Sequence, residues 1–101
     1  MPQSGAPIPS RKYRLRLYIT GMAARSAAAL AAIRALCDDR LSGRYELEVI
    51  DLYQHPALAS ADQIIATPTL VKRLPEPLRR LVGDLSNRQR VLAGLGLDER
   101  A

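Results

Sequence analysis

The sequence predicts an α/β domain with the element order βαβαββα. Three observations carry that prediction: two stretches of apolar–polar alternation, an alanine-rich helical stripe between them, and two short β-prone runs followed by a helix-start pattern. A chain of 101 residues is one domain of ordinary small size. The folded part is expected over residues 13–97, with a loose tail before it (1–12) and a short one after it (98–101).

The first element covers residues 13–20 (YRLRLYIT), where Leu15, Leu17 and Ile19 alternate with Arg14, Arg16 and Tyr18. That period of two marks a half-buried strand, and Gly21 ends it. Residues 26–41 (SAAALAAIRALCDDRL) follow, with Ser26 placed to cap a helix. Leu30, Ile33, Cys37 and Leu41 fall on one helical stripe, alanines supply propensity, and Ser42-Gly43 is a natural stop. Residues 44–52 (RYELEVIDL) alternate again, Tyr45, Leu47 and Val49 against Arg44, Glu46 and Glu48. Strand, helix and strand make a βαβ unit with parallel strands.

His55-Pro56 opens a short helical stretch over residues 57–65 (ALASADQII), with Pro56 suited to a first helical position. Residues 69–74 and 78–82 read as strands joined across Pro75-Glu76-Pro77. Ser86-Asn87-Arg88-Gln89 matches a capping box for a last helix that buries Val91, Leu92 and Leu95.

Composition narrows the function. Apolar residues make up 48% of the chain, but there is no Phe and no Trp, so aliphatic side chains and four Tyr must fill the core. No apolar run approaches the roughly 18 residues of a membrane span, and residues 1–10 lack the apolar segment of a signal peptide. One thiol allows no internal disulfide, which suits a reducing cytoplasm. The net charge of +5 rests on thirteen Arg and two Lys. It fits an acidic protein partner or a solvated surface better than nucleic acid, since neither a dense basic helix nor aromatic platforms among basic residues stand out. His55 is the sole histidine and has no companion at metal-ligand or acid–base spacing, so no metal and no cofactor is expected.

Local signals conflict in the C-terminal half. Lys72 shares a strand face with Leu70 and Leu74, residues 78–85 suit a strand or part of a helix, and Gly94 and Gly96 leave the last helix short. An interior Gly costs roughly 1 kcal/mol relative to Ala. Such conflict marks either modest stability or a functional compromise.

The element order is the thioredoxin-like one, and Ala66-Thr67-Pro68-Thr69 resembles the substrate-side loop of thioredoxin-type domains. There the proline faces a Cys-x-x-C pair; here the helix entrance, residues 21–26 (GMAARS), has no Cys, and Cys37 lies on the apolar stripe as a small buried side chain. The segments YRLRLYITG, YELEVIDLYQHPALA, D-x-I-x-ATPTL and KRLPEPLRRLVGDLSNRQRVLAGL together resemble the KaiB family of circadian-clock proteins, over about residues 13–97.

The resemblance implies a non-enzymatic binding protein on a thioredoxin-like scaffold that has lost its cysteines. It implies a KaiC-type ATPase ring as partner, KaiA or a clock histidine kinase as further partners, and self-association as a dimer or tetramer. It also implies two folds: a binding-competent thioredoxin-like monomer, and a ground state that packs the C-terminal half differently. Pro68, Pro75, Pro77 and Gly94 fall in or near the rearranging part, and Lys72, Arg73, Arg79 and Arg80 offer a basic patch to an acidic partner. Two features depart from the cyanobacterial pattern: Pro75-Glu76-Pro77 replaces three consecutive prolines, and the chain stops at LDERA without an acidic tail. The competing readings are a thiol or glutathione-binding domain, in which Ser26 would have to act, and a free-standing relative of the sensory domain of clock histidine kinases.

Overall fold

The structure, a computed structural model, describes residues 12–21, 23–64 and 66–97. The expected tails, apart from Lys12, lie outside the described residues. Seven elements follow in order: β1 (Tyr13–Ile19), α1 (Ala24–Arg40), β2 (Tyr45–Asp51), α2 (Leu58–Ala61), β3 (Thr69–Leu74), β4 (Arg79–Val82) and α3 (Arg88–Gly94). They form a thioredoxin-like α/β domain around one four-stranded sheet of order β2-β1-β3-β4. β1 and β2 are parallel, as the βαβ unit requires, while β3 lies antiparallel to both β1 and β4.

The alternation in β1 and β2 sorts the two faces of the sheet. Tyr13, Leu15, Leu17, Ile19 and Leu70 join Ile33, Cys37 and Leu41 of the α1 side and Val91, Leu92 and Leu95 of the α3 side in the main core. α1 and α3 therefore cover one face. The opposite face carries a smaller cluster, Tyr18, Ile50 and Val71, against which Leu52, Leu58 and Ile64 of the α2 region pack.

Helix starts differ from the expected caps. α1 begins three residues early, after Ala23 rather than Ser26, and no side chain caps it. Ser26 sits inside its first turn, buried, where its Oγ accepts from the Thr20 N–H at 3.3 Å. The last helix is capped by Asn87, whose side chain accepts from the Arg90 N–H at 3.2 Å. Ser86 instead turns back to Asp84. Pro56 precedes α2 rather than opening it, because the chain first makes a turn in which Leu58 N–H donates to the His55 carbonyl. Gly43, at φ +75, supplies the left-handed residue that ends the α1 loop.

The structure also resolves the misfit of Lys72 and Leu74. The β1–β3 register shifts between Arg14 and Leu15, so Lys72 pairs with Leu15 while Leu74 pairs with Arg14. A bulge of this kind re-aims the residues beyond it. Lys72 stays on the main-core face, and Leu74 leaves it, 40% exposed.

Candidate partner-binding surface

The end of the sheet that would carry thiol chemistry in a redox enzyme is built here from hydroxyls and backbone. Thr67-Pro68 is a cis peptide, Pro68 is buried, and Thr67 Oγ1 lies 3.1 Å from Thr20 Oγ1 at the end of β1. Gly21, at φ +61, donates its N–H to Asp51 Oδ1 at 2.9 Å, and Tyr53 lies so close that a Cβ on Gly21 would meet its ring at 3.0 Å. A cleft of about 140 Å³ runs between Arg25 of α1, Pro68, and Asp84 and Ser86 of the β4–α3 loop.

Ser86 lines this cleft and gives its Oγ–H to Asp84 Oδ1, and that bond holds the Asp84 carboxyl below the usual carboxylate range, which leaves it a weak base. Cys37 is fully buried on the core side of α1, and its thiol is pushed up to about 11, chiefly by burial and then by the charge of Asp38. Ser26 accepts from backbone, with no base beside it. His55 is exposed, and the described residues contain no group of three metal-ligating side chains.

The four basic residues expected to form one patch lie on two sides of the sheet. Lys72 and Arg79 are cross-strand neighbours in the β3–β4 register. Lys72 is only 5% exposed, and its ammonium makes no hydrogen bond or ion pair among the described residues. Burial, and then the nearby Arg79 charge, hold its ammonium below the usual lysine range. Its stem is enclosed, but the ammonium keeps contact with solvent, since among the described residues the fully buried side-chain nitrogen without a partner is Arg73 Nε. Arg73 and Arg80 point to the other face and converge on Asp62. Arg73 Nη2 donates to both carboxylate oxygens at 2.7 and 2.8 Å, and Arg80 Nε donates to the Asp62 carbonyl at 3.0 Å.

Asp62 is absent from the residues that sequence reasoning selects, yet it is 5% exposed and also accepts from Tyr18 Oη at 2.6 Å. Arg16 completes the cluster, with Nη1 donating to Tyr18 Oη at 3.1 Å and lying 3.6 Å from Asp62 Oδ2. Burial, and then the bond to Asp62, push the Tyr18 phenol up. A lone acid in the small-residue run ALASADQII was the available signal.

β4 forms one outer edge of the sheet. Arg79 and Arg80 are exposed there, flanked by Leu78 and Val82 at 46% and 42% exposure. Pro75 and Pro77, both preceded by cis bonds, bracket Glu76 in the turn that leads into this edge. Gly94 of α3 lies against Leu81 on the core side of the same strand; a Cβ there would meet Leu81 Cδ2 at 2.4 Å.

Comparison with known proteins places this geometry. Thioredoxins match the fold: mitochondrial thioredoxin 3 of Saccharomyces cerevisiae superposes with TM-score 0.68 at 14% identity, covering 85% of this chain and 78% of its own. The N-terminal domain of Synechococcus elongatus SasA gives 0.65 at 23% identity over 98% of this chain and 93% of its own. In sequence, the chain is 49% identical to a protein named circadian clock oscillator protein KaiB from Prochlorococcus marinus, over 88% of this chain and 75% of that one. The Synechococcus sp. (strain CC9311) protein of the same name is 48% identical over the same shares. The KaiB domain model matches residues 16–97, which take in the whole sheet except the start of β1, together with the cis-Pro68 loop, the basic edge and α3; the chain belongs to the KaiB family.

Proposed function

We propose that this protein is a non-enzymatic clock regulator that binds a KaiC-type ATPase ring and modulates its phosphorylation and ATPase cycle. The observation that carries the reading is the β4 edge, where exposed Arg79 and Arg80 stand beside uncovered Leu78 and Val82. Cations of one sign steer an acidic partner and set its register, while adjacent apolar side chains supply contact area. Lys72 and Arg79 add two neighbouring cations with no acid between them, a pairing that a carboxylate from the partner would relieve. Arg73 and Arg80 act differently, because Asp62 already holds them, and they present a fixed rather than a searching charge.

The thioredoxin-like state is, on this reading, the binding-competent one. A second packing of the C-terminal half, populated in a self-associated free form, would compete with it. Partner affinity would then fall in proportion to the competent fraction. Pro68, Pro75, Pro77 and Gly94 are the backbone positions at which the two packings are expected to diverge. KaiA or a clock histidine kinase are further partners of the same system, and the setting is the cytoplasm. The glutathione reading has little to recommend it, since Ser26 is buried and its Oγ already accepts a hydrogen bond. Likeness to the SasA domain over 98% of the chain keeps a sensory-domain role as the second reading, in which the monomer is rigid.

Size-exclusion chromatography with light scattering, alone and with an ATP-loaded KaiC ring after hours of incubation, tests the proposal. A ring-bound monomer is expected, with the Arg79→Glu/Arg80→Glu double variant weakened at least tenfold, about 1.4 kcal/mol. No complex under any nucleotide condition, or an unchanged affinity in the charge-reversed variant, overturns it.

A further inference from the structure

The segment between β2 and β3 is attached to the molecule in an unusual way. Among the described residues, every backbone–backbone hydrogen bond donated within residues 53–64 ends on a carbonyl between Asp51 and Ala59 or Ser60, inside the segment or at its root. α2 is four residues long and has no buried residue of its own. Beneath it lie Tyr18, Ile50 and Val71, the smaller apolar cluster, only 0%, 6% and 0% exposed. Leu58 and Ile64 are only partly buried against that cluster, so apolar contact gives the segment a limited hold.

What ties it down is polar and concentrated at one residue. The Asp62 carboxylate takes Tyr18 Oη from β1 and a forked contact from Arg73 of β3, with Arg16 close by. The Asp62 carbonyl takes Arg80 of β4. Among the described residues, the other side-chain bonds from the sheet to this segment are a long contact of 3.4 Å from Tyr18 Oη to the Leu58 carbonyl and, at the segment's root, Asp51 Oδ1 accepting from the Tyr53 N–H at 2.9 Å. Gln63, immediately after Asp62, is held at φ +56, a conformation that costs a non-glycine residue energy and that release would relax.

We propose that residues 53–64 form a strap clasped to the sheet by Asp62, and that the strap opens as a unit to bare Tyr18, Ile50 and Val71 while the rest of the fold stays intact. A segment with no ladder bonds and a small apolar footprint takes its closing free energy from the few charge-assisted bonds at one carboxylate. Nothing in this depends on the identity of the protein's partner.

Native-state hydrogen exchange on the full chain tests it, read at the strap amides Leu58, Ala59 and Ile64 against core amides in α1 and β3. In the unmodified protein the strap amides are expected to exchange through an opening with little denaturant dependence, well ahead of the core. Exchange of both sets only by global unfolding overturns the proposal. In Asp62→Asn, which keeps the shape but removes the charge, strap protection is expected to drop about tenfold or more with core protection nearly unchanged. A uniform drop across strap and core, or none in the strap, sinks it. Arg73→Gln should repeat the pattern if Asp62→Asn folds poorly.

Discussion

Lys72 and Cys37 are two residues whose ionisation the fold disturbs in opposite senses, and stability can report both. Lys72 is held below its ordinary value of 10.5 by burial and by Arg79. The unfolded chain therefore binds that proton more tightly, and stability rises as pH climbs from the lowered value toward 10.5. The Cys37 thiol is raised from 9.0 to about 11, so the unfolded chain loses that proton first and stability falls as pH climbs between those values. The two trends oppose each other, and single variants separate them. In urea unfolding across the alkaline range, Lys72→Met should deepen the decline, Cys37→Ala should flatten it. Near neutrality Lys72→Met is expected to be more stable than the parent by about 1 kcal/mol, because the enclosed stem then no longer carries a partly desolvated charge beside Arg79. An alkaline profile unchanged in both variants would place both groups in water.

The burial of Cys37 was legible in the sequence, since it falls on the same stripe as Ile33 and Leu41. The burial of Lys72 was not. Its strand position put it among apolar neighbours, and the expectation that it joins Arg73, Arg79 and Arg80 in one basic patch rested on residue type and on the family resemblance. Asp62 was illegible for the complementary reason: its partners Tyr18, Arg73 and Arg80 come from three strands, and nothing in its own neighbourhood announces them.

At the scale of elements, α3 shows where propensity misleads. Gly94 reads as a weak point of a helix, yet its missing side chain admits Leu81 of β4, and a Cβ would lie 2.4 Å from Leu81 Cδ2. Gly94→Ala should therefore lose about 1 kcal/mol in chemical denaturation despite the gain in helix propensity of about the same size. Adding Leu81→Ala should leave much less than the sum of the two single losses, which a double-mutant cycle measures. If the cycle shows no coupling, the close approach of α3 to β4 is not what Gly94 serves. The cap is a second element-scale expectation. Asn87→Ala should cost about 1 kcal/mol, and Ser86→Ala clearly less, because Asn87 accepts the α3 bond to Arg90. The capping-box pattern pointed to Ser86, but in the fold Ser86 bonds Asp84 and Asn87 takes the cap.

At the scale of the molecule, the two halves of the chain differ in what secures them. The βαβ half has a parallel ladder, a long helix and most of one core face. The other half joins the sheet through β3 and the four-residue edge strand β4 and closes with the seven-residue helix α3. If the free chain populates the second packing proposed above, amide NMR resonances of residues 66–97 should appear in two slowly exchanging sets. Residues 13–51 should show far smaller doubling. A single set at every concentration and temperature would leave a rigid thioredoxin-like domain and favour the sensory-domain reading.

The sequence alone determined the element order, the parallel pairing of the first two strands, the core stripe of α1 and membership of a recognisable family, because these follow from local periodicity and from motifs contiguous in the chain. Tertiary structure decided which cap each helix uses, that Lys72 is enclosed while Leu74 is not, that the four basic residues divide between two faces, and that Asp62 gathers three strands. Each of these depends on register across strands distant in sequence, where a shift of one residue, such as the one between Arg14 and Leu15, moves a side chain from one face to the other.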